Sequence, residues 1–180
     1  MTEPRVNGSI TRARLVSRVT PVVTPVRPTA PALEVMTDLA KEAPHVVEPD
    51  RPIDDALHDM IGFGVRLLLV VRDGDVVGLI TSYDIMGERP IQFLQDPFAS
   101  GKPHRHSDIK VADIMTSISD AHPLRLSWVA VATVGEVATL FKNCLETHLL
   151  VVDEEPRGSA VVRGIFSRTT LERQLGPLIR

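Results

Sequence analysis

Two small clusters of hydroxyl and carboxylate side chains stand where chemistry is possible. Thr81, Tyr83 and Asp84 directly follow the apolar run Val77-Gly78-Leu79-Ile80. Ser167, Thr169 and Thr170 follow Arg163-Gly164-Ile165-Phe166 in the same way. Each run reads as a strand turning into a helix. Free backbone N–H groups and the positive end of the helix dipole meet there, which favours an anion. A hydroxyl at Thr81 or Ser167 adds a donor that also accepts. Asp84 has the opposite use: it repels phosphate but accepts two hydrogen bonds, as a vicinal diol requires. The same Thr81-x-x-Asp84 spacing also fits a capping box, in which Asp84 only satisfies a backbone amide. Thr170 stands where the second cluster lacks the acid. A charged hydrogen bond is worth about 1.5–3 kcal/mol, so that site is expected to be weaker, specialised or empty.

Arg66 and His148 stand just before, or at the start of, two further apolar runs. Arg66 is the better phosphate candidate, being permanently charged and fork-shaped; the alternative is a solvated strand end. His148 reads first as structural. Cys144 is the single cysteine, so no intrachain disulfide can form. It falls on the apolar stripe of a helix and reads as a small buried hydrophobe. His104-Arg105-His106 has a spacing that can hold a metal, but it lies in a polar connector and reads as solvated; no metal site is expected. Neither a nucleophile–base pair nor a phosphate-binding glycine loop is present, so no enzyme is expected. Trp128 reads as packing.

The elements that must position these groups occur twice. Ala32-Leu33-Glu34-Val35-Met36-Thr37 returns as Val111-Ala112-Asp113-Ile114-Met115-Thr116, and Leu67 to Val71 returns as His148 to Val152. Order is kept at a spacing of roughly 80 residues, too long for a solenoid unit. Short helices are expected at Leu33 to Leu39 and Val111 to Met115, and a strand at Val46-Val47. Ile53, Ala56, Leu57, Met60 and Ile61 follow helical spacing, as do Val134, Val137, Leu140, Phe141, Cys144 and Leu145. Pro52 suits a first helical position, and Thr133 with Glu136 fits a capping box. The run Leu67 to Val71 is apolar throughout, as in a strand covered on both faces. Asp73-Gly74 signals a hairpin into Asp75 to Ile80. The last helices run from Ser82 to about Arg89, ending at Pro90, and from Arg168 to Leu175. The unit is β-α-β-β-α with a short leading helix.

This order, twice over, with Val-Met-Thr and Ile-Met-Thr leading and Gly-x-x-Thr or Gly-x-x-Ser at the hairpin exits, resembles the cystathionine-β-synthase (CBS) domain. Two tandem copies resemble the paired form, the Bateman module. The expected fold is therefore α+β, two pseudo-symmetric repeats packed as one module: an extended, mostly mobile arm at 1–30, repeats at 31–94 and 108–176, and a linker at 95–107. The resemblance implies regulation by an adenine nucleotide or related adenosyl ligand (AMP, ATP or S-adenosylmethionine) in clefts between repeats, with no obligatory cofactor. It implies a ribose at Asp84 and ribose or phosphate at the Ser/Thr positions, so that Thr81, Tyr83, Asp84, Ser167, Thr169 and Thr170 line ligand. Val46, Val47 and the stretch Val129 to Val131 are the expected walls for adenine. On this reading the cleft closed by Thr81 and Asp84 binds more tightly.

Composition limits the alternatives. Hydrophobic residues are 43% and aromatics 4%, so the core is Val, Leu and Ile. A net charge of -3 argues against nucleic acid as a partner, although residues 1–30 hold five arginines against one acid. No run approaches the ~18 apolar residues of a membrane span. The expectation is a stand-alone cytoplasmic homodimer that signals to an effector protein. The competing reading is a structural CBS protein whose ligand sites have decayed.

Overall fold

The two wholly apolar runs become the central strands, and alternation within them explains why they are apolar on both faces. In a computed structural model describing residues 24–95, 105–155 and 159–176, β3 (Leu67–Arg72) turns into β4 (Asp75–Thr81) and β7 (His148–Glu154) into β8 (Ala160–Ser167). Leu68, Val70 and Ile80 point into a cluster with Ile53, Ala56 and Met60 of α1 (Ile53–Phe63). Leu67, Leu69 and Leu79 point the other way, where they meet Leu150 of β7 and, from β8, Val162 and Ile165. The far face of β7 sends Leu149 and Val151 against Val134, Val137 and Phe141 of α6 (Val134–Lys142). Two sheets thus stack face to face with helices outside. Each fully buried Leu or Val contributes about 1.5–3 kcal/mol.

The pseudo-symmetry is detailed. Leu67 pairs with Thr81 and His148 with Ser167, and both hairpins slip register at the same place, after Val70 and after Val151. Asp73 (φ 53°) and Gly74 (φ 90°) make the expected tight turn of the first hairpin.

Each sheet is completed by the other half of the chain. The short strand β1 (Thr37–Asp38) pairs with β8, and β5 (Thr116–Ser117) pairs with β4. The short parallel strands β2 (Val46–Val47) and β6 (Leu124–Arg125) lie at the opposite edges, against β3 and β7. This exchange explains the repeated Met-Thr. Gly78 leaves room for the Thr116 carbonyl and the Met115 side chain, and Gly164 leaves room for Met36.

Five local expectations are corrected. Leu33 to Leu39 is not a helix: one 3-10 turn at Ala32–Glu34 gives way to β1, because the edge of β8 supplies hydrogen bonds that outweigh local propensity. The first terminal helix breaks at Gly87 and restarts. It forms α2 (Ser82–Met86) and α3 (Arg89–Gln95), with Pro90 in a first turn where its missing N–H costs nothing. The helix α6 stops at Lys142, so Leu145 is 98% exposed rather than in the stripe. Ile61 on α1 is likewise exposed, at 72%. Pro52 is the N-cap of α1 rather than its first helical residue. The second repeat also gains a helical turn, α5 (Leu126–Val129), and α4 (Val111–Ile114) precedes β5 as expected.

Candidate ligand clefts

Helix termini and strand ends deliver the candidate side chains to two clefts. Gly64 adopts φ 70°, ending α1 with bonds from Gly64 N–H to Ile61 O (3.2 Å) and Val65 N–H to Met60 O (3.0 Å). That turn sets Val65 and Arg66 beside a cleft of about 500 Å³. Its opposite wall is the start of α7 (Arg168–Leu175), with Ser167, Thr169, Thr170 and Arg173. Leu39, Pro44, Leu69 and Ile165 supply apolar lining, and Glu42 and His45 complete one side. Arg66 of the first repeat thus faces the hydroxyl cluster of the second. Ser167 precedes α7 without a side-chain cap, so the first amides of that helix are not taken up by it.

The equivalent cleft at Thr81, Tyr83 and Asp84 holds only about 190 Å³. Small-molecule sites usually occupy about 300–1,000 Å³, so size favours the other. Asp84 is also committed within the fold. Its Oδ2 accepts from Thr81 N (2.8 Å) and Thr81 Oγ1 (2.7 Å), and Asp84 N donates back to Thr81 Oγ1 (3.3 Å). Its Oδ1 lies 3.2 Å from Arg89 Nε. Arg89 also donates to Ile114 O (2.7 Å) and Thr116 Oγ1 (3.0 Å). The capping box is therefore formed, and an internal cation holds the acid.

His148 lines both clefts. Burial pushes its pKa down to about 4, assisted by the nearby Arg66 and opposed by Asp84. It is therefore neutral at pH 7, with Nδ1 3.0 Å from Thr147 Oγ1. The wall beyond it is a loop held by Arg168, whose guanidinium donates to Cys144 O (2.7 Å) and Glu146 O (3.1 and 2.9 Å) and lies over the Phe141 ring. Burial raises the Cys144 thiol pKa.

Several expected positions fall elsewhere. Val46 and Val47 line neither cleft: Val47 is core and Val46 faces outward. The wall is made by the residues just before them, Ala43 to His45. Val129 is also core, and Val131 is exposed. His104 lies outside the described residues, and His106 pairs with Asp54 at 3.4 Å. Among the described residues no group of three His, Cys, Asp or Glu side chains is placed to hold a metal. Nor is any helix there long and apolar enough to cross a membrane. Sequence reading missed Arg173, although Thr169, Thr170 and Arg173 share a helix face by spacing. It also missed Arg89, which is hidden behind the Gly87 break.

Comparison with known proteins bears on this arrangement. The family model for the CBS domain matches residues 32–90. The fold is similar to that of CBSX2 in complex with AMP (25% identity, TM-score 0.55, 84% of this chain and 99% of that one). It is also similar to an uncharacterized conserved protein from Pyrococcus horikoshii (26% identity, TM-score 0.55, 82% and 93%). Residues 32–90 carry a CBS domain, and the fold of the chain is that of a CBS pair. Its two CBS repeats pack as a Bateman module, as the exchange of leading strands requires. A further fold match is MJ1225 from Methanocaldococcus jannaschii, described as a putative archaeal homolog of g-AMPK (20% identity, TM-score 0.56, 84% of this chain and 49% of that one). No curated protein matches. In this CBS pair the two clefts are unequal in volume, and the roomier one is lined by Thr170 rather than by Asp84.

Proposed function

We propose that this CBS pair is a regulatory module, without catalysis or an obligatory cofactor, that takes an adenine nucleotide of the AMP or ATP type in its large cleft. The observation that carries the reading is the facing of two cations across hydroxyls. Arg66 from one repeat and Arg173 from the other flank Ser167, Thr169 and Thr170 in a cleft of about 500 Å³. The similarity to CBSX2 in complex with AMP supports it. Thr170 stands where the other repeat carries Asp84, so the hydroxyl cluster between the arginines holds no carboxylate; His148 is neutral, and the acid of the cleft, Glu42, belongs to its other side. S-adenosylmethionine, a cation without phosphate, fits this cleft less well.

Isothermal calorimetry with AMP and with ATP tests the reading. Arg66→Ala and Arg173→Ala each remove a charge-assisted partner worth about 1.5–3 kcal/mol, a loss of tenfold or more in affinity. Absence of binding by either nucleotide at millimolar concentration overturns the reading.

The second reading, a decayed ligand site, is favoured for the small cleft alone, because Arg89 already occupies Asp84. We take residues 31–94 and 108–176 as the repeating units, and the protein as a cytoplasmic homodimer that acts on an effector protein. Exposed Ile61 and Phe63 on α1, with Tyr83 and Met86 on α2, support the dimer. Light scattering at micromolar concentration reads it directly, and a 19.8 kDa species overturns it.

A further inference from the structure

Residues 26–32 lie across the second repeat as a strap held by main-chain bonds. Val26 N–H donates to Gln174 O (3.0 Å) near the end of α7. The N–H groups of Gly135 and Val134 donate to Pro28 O (2.8 Å) and Ala30 O (2.9 Å). These two amides open α6 and have no partner within it, so the strap caps that helix with its own carbonyls. Ala32 N–H bonds Ala132 O (2.9 Å), and its methyl is fully buried. Half-buried Val26 and Ala30 pack on the cluster containing Leu171 and Leu175 of α7. Gly135 suits this fit: a Cβ there would stand 3.1 Å from the Pro28 carbonyl oxygen and press the strap outward by a few tenths of an ångström.

The large cleft is built from the same two pieces. One wall, Thr37, Leu39 and Glu42, continues directly from the strap in the chain. The other, Thr169, Thr170 and Arg173, stands on the helix to which the strap is bonded. A ligand that bridges the walls therefore ties together the elements that the strap also ties. Arg27, Pro28, Thr29 and Pro31 are exposed, so between its small apolar anchors Val26, Ala30 and Ala32 the strap is held by main-chain bonds.

We infer that residues 26–32 are a latch linked to the large cleft: occupancy seats the strap on α6 and α7, and an empty cleft lets it lift. This rests on the reading of that cleft as a nucleotide site. It supplies the step by which occupancy becomes visible to a partner. Linkage is reciprocal, so a seated strap must raise ligand affinity by the same factor.

Site-resolved amide hydrogen exchange, with and without saturating AMP, tests the latch. Exchange at Val26, Val134 and Gly135 is expected to slow fivefold or more, with amides in the middle of α1 unchanged. Gly135→Val, which crowds Pro28, is expected to weaken AMP binding by a similar factor and to erase the protection at Val26 and Val134. Should that variant fail to fold, Val26→Pro removes one donor and leaves α6 intact. The latch is overturned if AMP binds calorimetrically while these amides exchange unchanged, or if unseating the strap leaves affinity untouched; the nucleotide reading survives both results. If the wild type binds no AMP, the nucleotide reading falls and the latch falls with it.

Discussion

Arg89 reaches back across the Gly87 break to Asp84, its Nε 3.2 Å from Oδ1, so both carboxylate oxygens are engaged within the fold. Asp84→Ala should therefore act on stability. Losing the cap costs about 1 kcal/mol, and the part-exposed ion pair adds about 1 kcal/mol at most. Chemical denaturation gives the first number, and AMP titration of the same variant should show unchanged affinity in the large cleft. A tenfold loss of AMP affinity would instead mean that ligand displaces Arg89.

Gly78→Ala and Gly164→Ala should differ, although the two glycines are equivalent by repeat. At Gly78 the new methyl meets a backbone carbonyl, that of Thr116, which cannot move without breaking the β4–β5 pairing. At Gly164 its nearest neighbours belong to the Met36 side chain, which has three rotatable bonds. Overpacking costs about 1–3 kcal/mol, with Gly78→Ala at the upper end and Gly164→Ala at the lower. Adding Met36→Ala should relieve the strain of Gly164→Ala, and equal melting losses for the two glycine variants would refute the distinction.

His148 sets a pH dependence. Its pKa in the fold, about 4, lies below the ordinary 6.5. The unfolded chain therefore binds the proton more readily, and stability falls as pH drops between 6.5 and 4. At 1.36 kcal/mol per unit the loss reaches about 3 kcal/mol. Replacing His148 by Leu, the residue its counterpart Leu67 already is, should flatten stability across that window. Urea midpoints at pH 7, 5.5 and 4.5 measure it.

Arg168→Lys should destabilise despite keeping the charge. The fork donates to two carbonyls, on Cys144 and Glu146, and lies over Phe141. A lysine cannot reproduce that planar geometry. A loss of about 1–2 kcal/mol is expected, and a thermal melt indistinguishable from wild type would remove Arg168 from this role.

The fold was legible because the repeat is written into apolar spacing. Leu67 to Val71 reads as a doubly covered strand and Asp73-Gly74 as its turn, and both are local signals. The leading Met-Thr segments were not legible as strands, because β1 and β5 exist only through pairing with the opposite repeat. At the site, Thr81 and Asp84 announced a cap or a ligand group with the same letters. Arg89 favours the cap, and nothing in the spacing predicts that Arg89 folds back across Gly87. Arg66 was legible as a cation, but Ser167 and Thr170, which line the same cleft, belong to the other repeat.

The exchange of leading strands also orders events during synthesis. Thr37 and Asp38 leave the ribosome long before their partners Ile165 and Gly164 are made. The first sheet must likewise wait for Thr116 and Ser117 before β4 gains its second neighbour. Neither half can finish a sheet while the other is unmade. The edge of β4 stays open to stray strands throughout the interval, so slow translation beyond the first repeat should favour aggregation over early folding.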